Sequence, residues 1–445
     1  MDKNLKLPPQ NLEAEESVLG SLMIDQGAII KAADILTPED FYSSANGKIY
    51  GTILDLYEKH QPIDILSVTS KLKEDKQLQD IGGSTYLSRL INSVPTSSHV
   101  EHYAKIVKEK KILRDLINTS AHIAEKAFNA GENIENVLDD IEQRIFSISQ
   151  NSQLQKFVNI KDELKGAYER IEKLHSGGAN LRGVPTGFSQ LDDKLSGLQN
   201  SDLIMLGARP SLGKTSLMLD IARHVAVKEK LPVGIFSLEM SREQVVDRLI
   251  SAEAQVPLWK LRTGRISDET DFALIQNSLD VLSHAQLYID DTPSPNILQM
   301  RSMARRLQMD SGLSLIIIDY LQLIQPRTNS ESMVQQITEI SRGLKGLARE
   351  LNVPVLALSQ LSRAVDQRES RIPRLADLRE SGSLEQDADV VLFIYRKDKD
   401  KMNVTPEEEN TAEIIIAKHR NGPTGTVKLK FDPERASFKN IDTVH

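Results

Sequence analysis

The sequence predicts an α/β domain, with a mostly parallel sheet flanked by helices, preceded by an all-α amino-terminal region. Beyond Gly183, short β-rich runs alternate with helical segments, which is the pattern of a parallel sheet with helical crossovers. Before that point, apolar residues recur at three- and four-residue spacings, as in helices that bury one face. A length of 445 residues allows two or three domains, and an aromatic content of 4% favours aliphatic cores.

The amino-terminal region is predicted to hold two helical parts. Residues 1–98 should form a compact bundle, whose first apolar stripe comprises Leu12, Val18, Leu19, Leu22 and Met23. Residues 99–150 resemble two long amphipathic helices that break at Asn129–Gly131, where glycine ends one helix and an acidic stretch opens the next. Two such helices would form a hairpin.

Residues 151–180 are predicted to be a linker that carries one short amphipathic helix. A lone helix between polar breaks has no core of its own, so its apolar face should dock on another surface. That surface could belong to a neighbouring subunit or to the same chain. The face comprises Ile160, Leu164, Tyr168, Ile171 and Leu174.

Residues 181–445 carry the predicted sheet. Its strands are expected at 203–206, 233–236, 287–289, 315–318, 355–358, 390–394, 414–417 and 427–431.

Composition excludes several classes of function. The net charge of −8 argues against a chain that coats nucleic acid through bulk basicity, so any DNA contact should be local. The absence of cysteine excludes disulfides and thiolate metal sites, and fits a reducing compartment. We see no apolar run long enough to span a membrane and no secretory signal, and therefore expect a cytoplasmic protein without a membrane partner.

A phosphate-binding loop is predicted between the run Leu203–Leu206 and the helical segment that starts near Ser216. Backbone N–H groups there can wrap a phosphate at the positive end of the following helix, Lys214 can neutralise phosphate charge and Thr215 can hold Mg²⁺. The strict pattern begins with glycine, and Ala208 stands in that place. The predicted nucleotide-binding residues of this segment are Ala208, Arg209, Pro210, Ser211, Leu212, Gly213, Lys214, Thr215 and Ser216.

Three further predicted strands end in polar side chains. Asp319 follows an aliphatic run and would emerge beside the phosphates, binding Mg²⁺ through water, because the carboxyl ends of parallel strands line the ligand crevice. Glu239 is a candidate general base that orients the attacking water. Gln360 could sense the γ-phosphate by a hydrogen bond, although an ordinary polar strand end remains open for both Glu239 and Gln360.

Several longer motifs carry a resemblance that covers nearly the whole chain. The sequence resembles replicative DNA helicases of the DnaB family, which implies a RecA-like ATPase domain. The Ala at the first position of the loop is usual among RecA-like proteins. The motifs occupy 8–15, 185–188, 236–240, 318–322, 357–363, 377–383 and 385–389, together with the segment 418–425.

The resemblance implies roles for individual residues. Lys214, Thr215 and Asp319 would bind ATP and Mg²⁺, and Glu239 would activate water. Gln360 would couple the γ-phosphate to the loops behind it, and Arg248 matches a residue that reaches the nucleotide in relatives. Arg420 and Lys418 are similar to an arginine finger and its companion, supplied to the ATP of the neighbouring subunit. Without the resemblance, an exposed basic pair at a strand end stays open as the alternative.

Contact with DNA is implied by the resemblance alone. The segment that holds Arg379, Glu380 and Gly382 is similar to a loop facing the central channel, where phosphates of single-stranded DNA are gripped. The residues themselves leave open a solvated charged loop, because acidic neighbours nearly cancel its arginines.

The implied function is a homohexameric ring that moves 5′-to-3′ on single-stranded DNA and unwinds forked duplex with energy from ATP hydrolysis. In such relatives the amino-terminal collar binds primase, and a separate loader opens the ring. Two alternatives stay open at this point: a RecA-like filament that pairs DNA strands, and a ring ATPase that acts on protein.

Overall fold

The structure is a computed structural model of the chain. It describes residues 7–94, 99–128, 181–266, 268–326, 332–362, 370–378, 382–400 and 408–441, with isolated positions elsewhere. The chain divides into two compact units, Met1–Glu163 and Leu164–His445. No helix among the described residues is long and apolar enough to cross a membrane.

The first unit is a bundle of helices around one apolar core. Its helices are α1 (Leu12–Ile24), α2 (Ala28–Ala33), α3 (Ser44–Glu58), α4 (Ile65–Glu74), α5 (Gly83–Asn92) and α6 (Val100–Phe128). Of the stripe predicted on α1, Val18, Leu19, Leu22 and Met23 are buried, whereas Leu12, at the start of the helix, is 44% exposed. The first arm of the predicted hairpin coincides with α6. The break at 129–131 and nearly all of the second arm lie outside the described residues, so the hairpin and the domain limits stay predictions.

A buried carboxylate organises the start of this bundle. Glu15 on α1 is 1% exposed. Its side chain accepts hydrogen bonds from the backbone N–H groups of Tyr42 (2.6 Å) and Ser43 (3.3 Å) and from Nδ2 of Asn46 (2.9 Å). These groups surround the first turn of α3, where N–H groups have no partner within the helix and favour a negative charge.

The second unit contains a nine-stranded sheet, and its mostly parallel strands with flanking helices confirm the predicted fold class. The strand order is β3-β2-β4-β5-β1-β6-β7-β8-β9, with β1 to β6 mutually parallel and β6 to β9 antiparallel. The strands are β1 (Leu203–Ala208), β2 (Val233–Ser237), β3 (Leu287–Asp290), β4 (Leu315–Asp319), β5 (Val355–Gln360), β6 (Val390–Arg396), β7 (Thr411–His419), β8 (Gly425–Asp432) and β9 (Ser437–Asn440).

Helices cover both faces of this sheet. They are α7 (Ser189–Leu195), α8 (Lys214–Arg223), α9 (Arg242–Ala254), α10 (Leu258–Thr263), α11 (Glu269–Ser283), α12 (Ile297–Ser311), α13 (Met333–Leu351) and α14 (Gly382–Asp387). Side chains of β1 alternate between the two resulting cores, with Ile204 and Leu206 in one and Leu203 and Met205 in the other. Strands buried on both faces explain the continuous apolar runs of the sequence.

The register of the parallel strands brings the predicted site residues to one edge. Ala208 at the end of β1 pairs with Gln360 at the end of β5. Ser237 at the end of β2 pairs with Asp319 at the end of β4. The carboxyl ends of the four strands therefore meet at the same edge, where ligands of open α/β sheets bind.

The strand β9 was missed by the sequence analysis, and it fixes the helix that follows the phosphate loop. Asp220 on α8 is buried and accepts hydrogen bonds from Oγ of Ser437 (2.9 Å) and the backbone N–H of Phe438 (2.6 Å). Burial raises the pKa of Asp220, while these hydrogen bonds act in the opposite direction. A four-residue strand with little apolar periodicity gave no recognisable signal.

Replacement of Glu15 by Gln should destabilise the amino-terminal bundle by about 1–3 kcal/mol, because an amide accepts fewer hydrogen bonds from donors that stay buried. Amide hydrogen exchange of α3 in the full-length chain measures the loss. Glu13→Gln, at an exposed position on the same helix, is the matched control. Equal protection of α3 in both variants would contradict the assigned role of Glu15.

Candidate active site

The loop between β1 and α8 forms a cradle at the carboxyl edge of the sheet. Ser211 and Gly213 both have positive φ angles, of 66° and 100°. At Gly213 a Cβ atom would also come within 2.9 Å of the Phe438 ring, so glycine is required for both backbone and space. Because α8 begins at Lys214, its unpaired N–H groups and positive dipole end face the cradle.

A cavity of about 460 Å³ opens above this loop. It takes in the predicted loop residues except Leu212, which is packed into the core. Three more predicted residues join them from other elements: Glu239, Arg248 and Gln360. The full lining is Ala208, Arg209, Pro210, Ser211, Gly213, Lys214, Thr215, Ser216, Glu239, Arg248, Gln360, Phe431 and Ala436.

Asp319 lies behind the loop and contacts both of its predicted ligand-binding side chains. Oγ1 of Thr215 donates a hydrogen bond of 2.7 Å to Oδ2 of Asp319. The other oxygen, Oδ1, lies 3.6 Å from Nζ of Lys214. Asp319 is 1% exposed, and its Oδ1 accepts no hydrogen bond from the described residues. A buried carboxylate oxygen without a donor has room for one more electrostatic partner.

The ammonium group of Lys214 is held in a partly dehydrated position. Burial lowers the pKa of Lys214, and the charges of Asp319 and Glu239 oppose that shift. Its Nζ also lies 4.3 Å from the centre of the Tyr320 ring, within range of a cation–π contact. The cation therefore faces the cavity with two carboxylates and an aromatic ring as its surroundings.

Glu239 is positioned by backbone hydrogen bonds between the end of β2 and the end of β4. The N–H groups of Leu238 (2.7 Å) and Glu239 (3.3 Å) both donate to the carbonyl oxygen of Asp319. The Glu239 side chain is exposed to the cavity rather than buried with Asp319. Two carboxylates at neighbouring strand ends thus have different surroundings, one buried against Thr215 and one open to solvent.

Gln360 ends β5 beside the loop, and a residue that the sequence analysis did not single out contacts its backbone. Nε2 of Gln322 donates to Oγ of Ser359 (3.2 Å) and to the carbonyl oxygen of Gln360 (3.3 Å). Gln322 follows β4 within the motif 318–322, but spacing alone gave it no role. It connects the ends of β4 and β5.

Arg248 projects from α9 and lines both the main cavity and an adjoining one of about 300 Å³. Burial lowers the pKa of Arg248, and the nearby charge of Arg262 acts in the same direction. Phe431, from β8, was missed by the sequence analysis because no motif marks it. The Phe431 ring also contacts the guanidinium group of Arg396, whose Cζ lies 4.4 Å from the ring centre. Arg396 is 2% exposed.

Lys418 and Arg420 lie at the opposite edge of the sheet and do not line this cavity. Nζ of Lys418 donates to the carbonyl oxygens of Glu385 (2.6 Å) and Ala388 (2.7 Å), at the end of α14. Arg420 follows β7 and is 67% exposed, with Nη1 3.4 Å from Oδ1 of Asp389. Asp389 directly precedes β6, whose carboxyl end points toward the phosphate loop.

A second carboxylate, Asp202, stands in the same charged cluster. Burial raises the pKa of Asp202 to about 6, and the negative charge of Asp389 adds to the shift. Lys345, Arg420 and Arg182 partly oppose it.

The remaining predicted residues concern DNA and metal. Arg379 and Glu380 lie outside the described residues, and Gly382 is the first residue of α14. In the described part of the chain, no group of three or more His, Asp or Glu residues could hold a metal ion by itself. A magnesium site built from one carboxylate, one hydroxyl and ligand phosphates would not need such a group.

Replacement of Asp202 by Asn should stabilise the protein at about pH 8, by on the order of 1 kcal/mol. The folded chain holds a proton on Asp202 up to about pH 6, whereas the unfolded chain releases it near the ordinary value of 3.8. Wild-type stability therefore falls as the pH rises through that window, and the asparagine variant is spared this loss. Thermal unfolding of both proteins from about pH 4 to pH 8 measures the difference in stability. A difference between variant and wild type that grows toward low pH would contradict the assignment.

Comparisons with known proteins agree with this geometry. Residues 7–109 match the family described as DnaB-like helicase N terminal domain, and residues 183–440 match DnaB-like helicase C terminal domain. The replicative DNA helicase DnaB of Geobacillus stearothermophilus is 48% identical over 98% of this chain and 96% of its own length. Replicative DNA helicase DnaC of Bacillus subtilis (strain 168) is 46% identical over 99% of this chain and 96% of its own length.

Solved structures give the same result. One described as "The Structure Of A DnaB-Like Replicative Helicase And Its Interactions With Primase" has a TM-score of 0.78 at 34% identity and covers 97% of this chain and all of its own. A second, described as an ATPase domain, has a TM-score of 0.61 at 38% identity and covers 64% of this chain and all of its own. With two family domains and relatives aligned over almost their full lengths, the chain belongs to the DnaB family of replicative DNA helicases.

Proposed function

We propose that this chain is the replicative DNA helicase of a bacterial or phage fork, a homohexameric ring that moves 5′-to-3′ on single-stranded DNA by hydrolysing ATP. The observation that carries the proposal is the contact of the buried Asp319 with Lys214 and Thr215, which both line an open cavity. Family membership supports the helicase activity, and the cavity at the carboxyl ends of the strands supports ATP binding.

ATP and Mg²⁺ fit the residues present. Backbone N–H groups of the loop would hold the β-phosphate, and Lys214 would neutralise charge on the β- and γ-phosphates. Thr215 and Asp319 would hold Mg²⁺, partly through water, because Oδ1 of Asp319 still lacks a hydrogen-bond donor. When bound, Mg²⁺ would spread the negative charge of the phosphates.

The exposed carboxylate and amide take the roles that depend on the γ-phosphate. Glu239 would orient and deprotonate the attacking water, since its carboxylate faces the cavity and is not engaged by Thr215. Nε2 of Gln360 would donate a hydrogen bond to the γ-phosphate, and Arg248 would reach the nucleotide from α9.

The position of Arg420 supports action between subunits. It lies at the amino edge of the parallel strands, away from the cavity of its own chain, and 67% of its side chain is exposed. A second copy could bring such a guanidinium to the first copy's ATP, with Lys418 beside it, where it would stabilise transition-state charge. Repeating this head-to-tail contact closes a ring, and six copies are proposed from the family.

Exposed apolar side chains support the assembly. Ile160, Leu164 and Tyr168 on the predicted docking helix are 74%, 57% and 67% exposed. Helix α11 exposes Phe272 (62%) and Leu279 (49%) in the same chain. Exposed apolar side chains that lie together often mark a contact with another subunit, and we propose that the docking helix of one copy packs on a neighbouring copy.

Contacts with DNA and other proteins rest on the family. The segment with Arg379, Glu380 and Gly382 would face the channel and grip phosphates without reading sequence. The amino-terminal unit would bind primase, as the description of one solved relative states for that helicase, and a loader would open the ring in the cytoplasm. The filament and protein-remodelling alternatives predict filaments on DNA and no stimulation by DNA, respectively.

Lys214→Ala and Arg420→Ala should each lower ATP hydrolysis by about a thousand-fold, because one removes the phosphate cation and the other the cation supplied in trans. Mixing the two variants should restore part of the activity. In a random equal mixture, about a quarter of the seams join an intact cradle to an intact finger. Phosphate release with single-stranded DNA, followed across a mixing series, is the measurement.

The same preparations test the motor on forked duplexes. Wild-type protein with ATP should displace the strand only when the fork carries a 5′ single-stranded tail for loading, and Lys214→Ala should not. Displacement without ATP, or only from a 3′ tail, would refute the proposal. An Arg420→Ala ring that keeps full hydrolysis would refute the role of the arginine.

A further inference from the structure

Asp389 contacts Arg420 through both its backbone and its side chain. The backbone N–H of Arg420 donates to the carbonyl oxygen of Asp389 at 2.9 Å. Nη1 of Arg420 lies 3.4 Å from Oδ1 of the Asp389 carboxylate. The backbone and the guanidinium group of Arg420 therefore both form hydrogen bonds with Asp389.

Asp389 is itself fixed in the core of the ATPase unit. Its side chain is 4% exposed, and its Oδ2 accepts hydrogen bonds from the backbone N–H of Leu203 (2.9 Å) and from Nζ of Lys345. The N–H of Asp389 donates in turn to the carbonyl oxygen of Leu203 (2.9 Å). Leu203 is the first residue of β1, the strand that ends at the phosphate loop, so the carboxylate is attached to the most central part of the sheet.

The neighbouring Lys418 is held by the same stretch of chain. Its ammonium group contacts carbonyl oxygens at the carboxyl end of α14, where four carbonyl groups lack partners within a helix and attract a cation. Residues 418–420 are thus attached at two points to residues 385–389. These contacts fix the backbone around Arg420 relative to β6, although the Arg420 side chain is mostly exposed to solvent.

We propose that Asp389 is a positioning residue for Arg420, which holds the guanidinium in the direction needed to reach ATP on the neighbouring subunit. This inference rests on the proposed trans role of Arg420. An exposed arginine has many rotamers, and fixing a long side chain in one of them costs conformational entropy. A buried, immobile carboxylate beside the guanidinium selects a subset of these rotamers before the seam forms, as preorganisation requires.

The inference predicts a specific kinetic effect for Asp389→Asn. The maximal rate of ATP hydrolysis should fall by about ten- to a hundred-fold, because a misplaced catalytic group costs rate. The KM for ATP should stay unchanged, because the cradle lies at the other edge of the sheet. Asp387→Asn is the matched control, since its carboxylate accepts from Ser341 and makes no contact with Arg420.

A mixing experiment separates positioning from damage to the variant's own site. Asp389→Asn rings have an intact cradle and a misdirected finger, whereas Lys214→Ala rings have the reverse. Equal mixtures should regain hydrolysis, as mixtures of Arg420→Ala with Lys214→Ala do. The double variant Asp389→Asn/Arg420→Ala should be no slower than Arg420→Ala, because a positioning residue has no effect without the residue it positions.

Each outcome has one meaning. If Asp389→Asn hydrolyses ATP at the wild-type rate while Arg420→Ala is inactive, the inference fails and the proposed function stands. If Asp389→Asn is slow and mixing restores nothing, the loss lies in its own subunit and the inference also fails. If Arg420→Ala keeps its activity, the proposed trans role of Arg420 fails, and the inference that rests on it fails as well.

A second variant guards against misfolding of Asp389→Asn, which leaves Lys345 without its carboxylate. Asp389→Glu keeps the negative charge for Lys345 but moves it outward by one methylene group. It should fold, judged by a single cooperative thermal transition and by ring assembly, and should show the same slow hydrolysis with the same recovery on mixing. A folded Asp389→Glu ring with wild-type hydrolysis would overturn the inference.

Discussion

The proposed ATP site of this unit depends on one buried carboxylate. Asp319 sits at the end of β4 almost without solvent contact, bonded to Thr215 on one oxygen and facing Lys214 with the other. Buried charges are stable only with close, well-placed partners. Here the partners are the first two residues of α8, so the carboxylate lies directly beside the cradle. Parallel pairing of β4 with β2 and β5 is what brings these groups together.

The same sheet presents different chemistry at its two edges. The carboxyl edge carries the cradle with Glu239 and Gln360, and the amino edge carries Asp389 with Arg420. Strand β1 touches both, because Leu203 binds Asp389 and Ala208 lines the cavity. Its six residues span roughly 20 Å at about 3.3 Å per residue. Each copy therefore carries a nucleotide cradle at one end of its strands and the proposed arginine finger at the other. Because a proposed site needs the cradle of one copy and the finger of the next, hydrolysis would depend on assembly.

Much of this arrangement could be predicted from the sequence, because apolar strands that end in polar residues leave a clear local pattern. The eight predicted strands, the loop and the convergence of Asp319, Glu239 and Gln360 all followed from it. Phe431, Gln322 and Asp389 did not, since each acts through contacts with residues distant in sequence. Asp389 binds Leu203 across 186 positions, and no periodicity records such a pairing. The second arm of the hairpin and the residues Arg379 and Glu380 remain predictions.

The central claim is that Asp319 and Thr215 form a magnesium-dependent site for ATP. Calorimetric titration of ATP into the wild-type chain, with Mg²⁺ and with EDTA, tests it most directly when repeated on Asp319→Asn. The account predicts that Mg²⁺ tightens ATP binding to the wild type, and that Asp319→Asn loses this gain while binding ATP in EDTA at least as well. An undiminished gain from Mg²⁺ in Asp319→Asn would contradict the account.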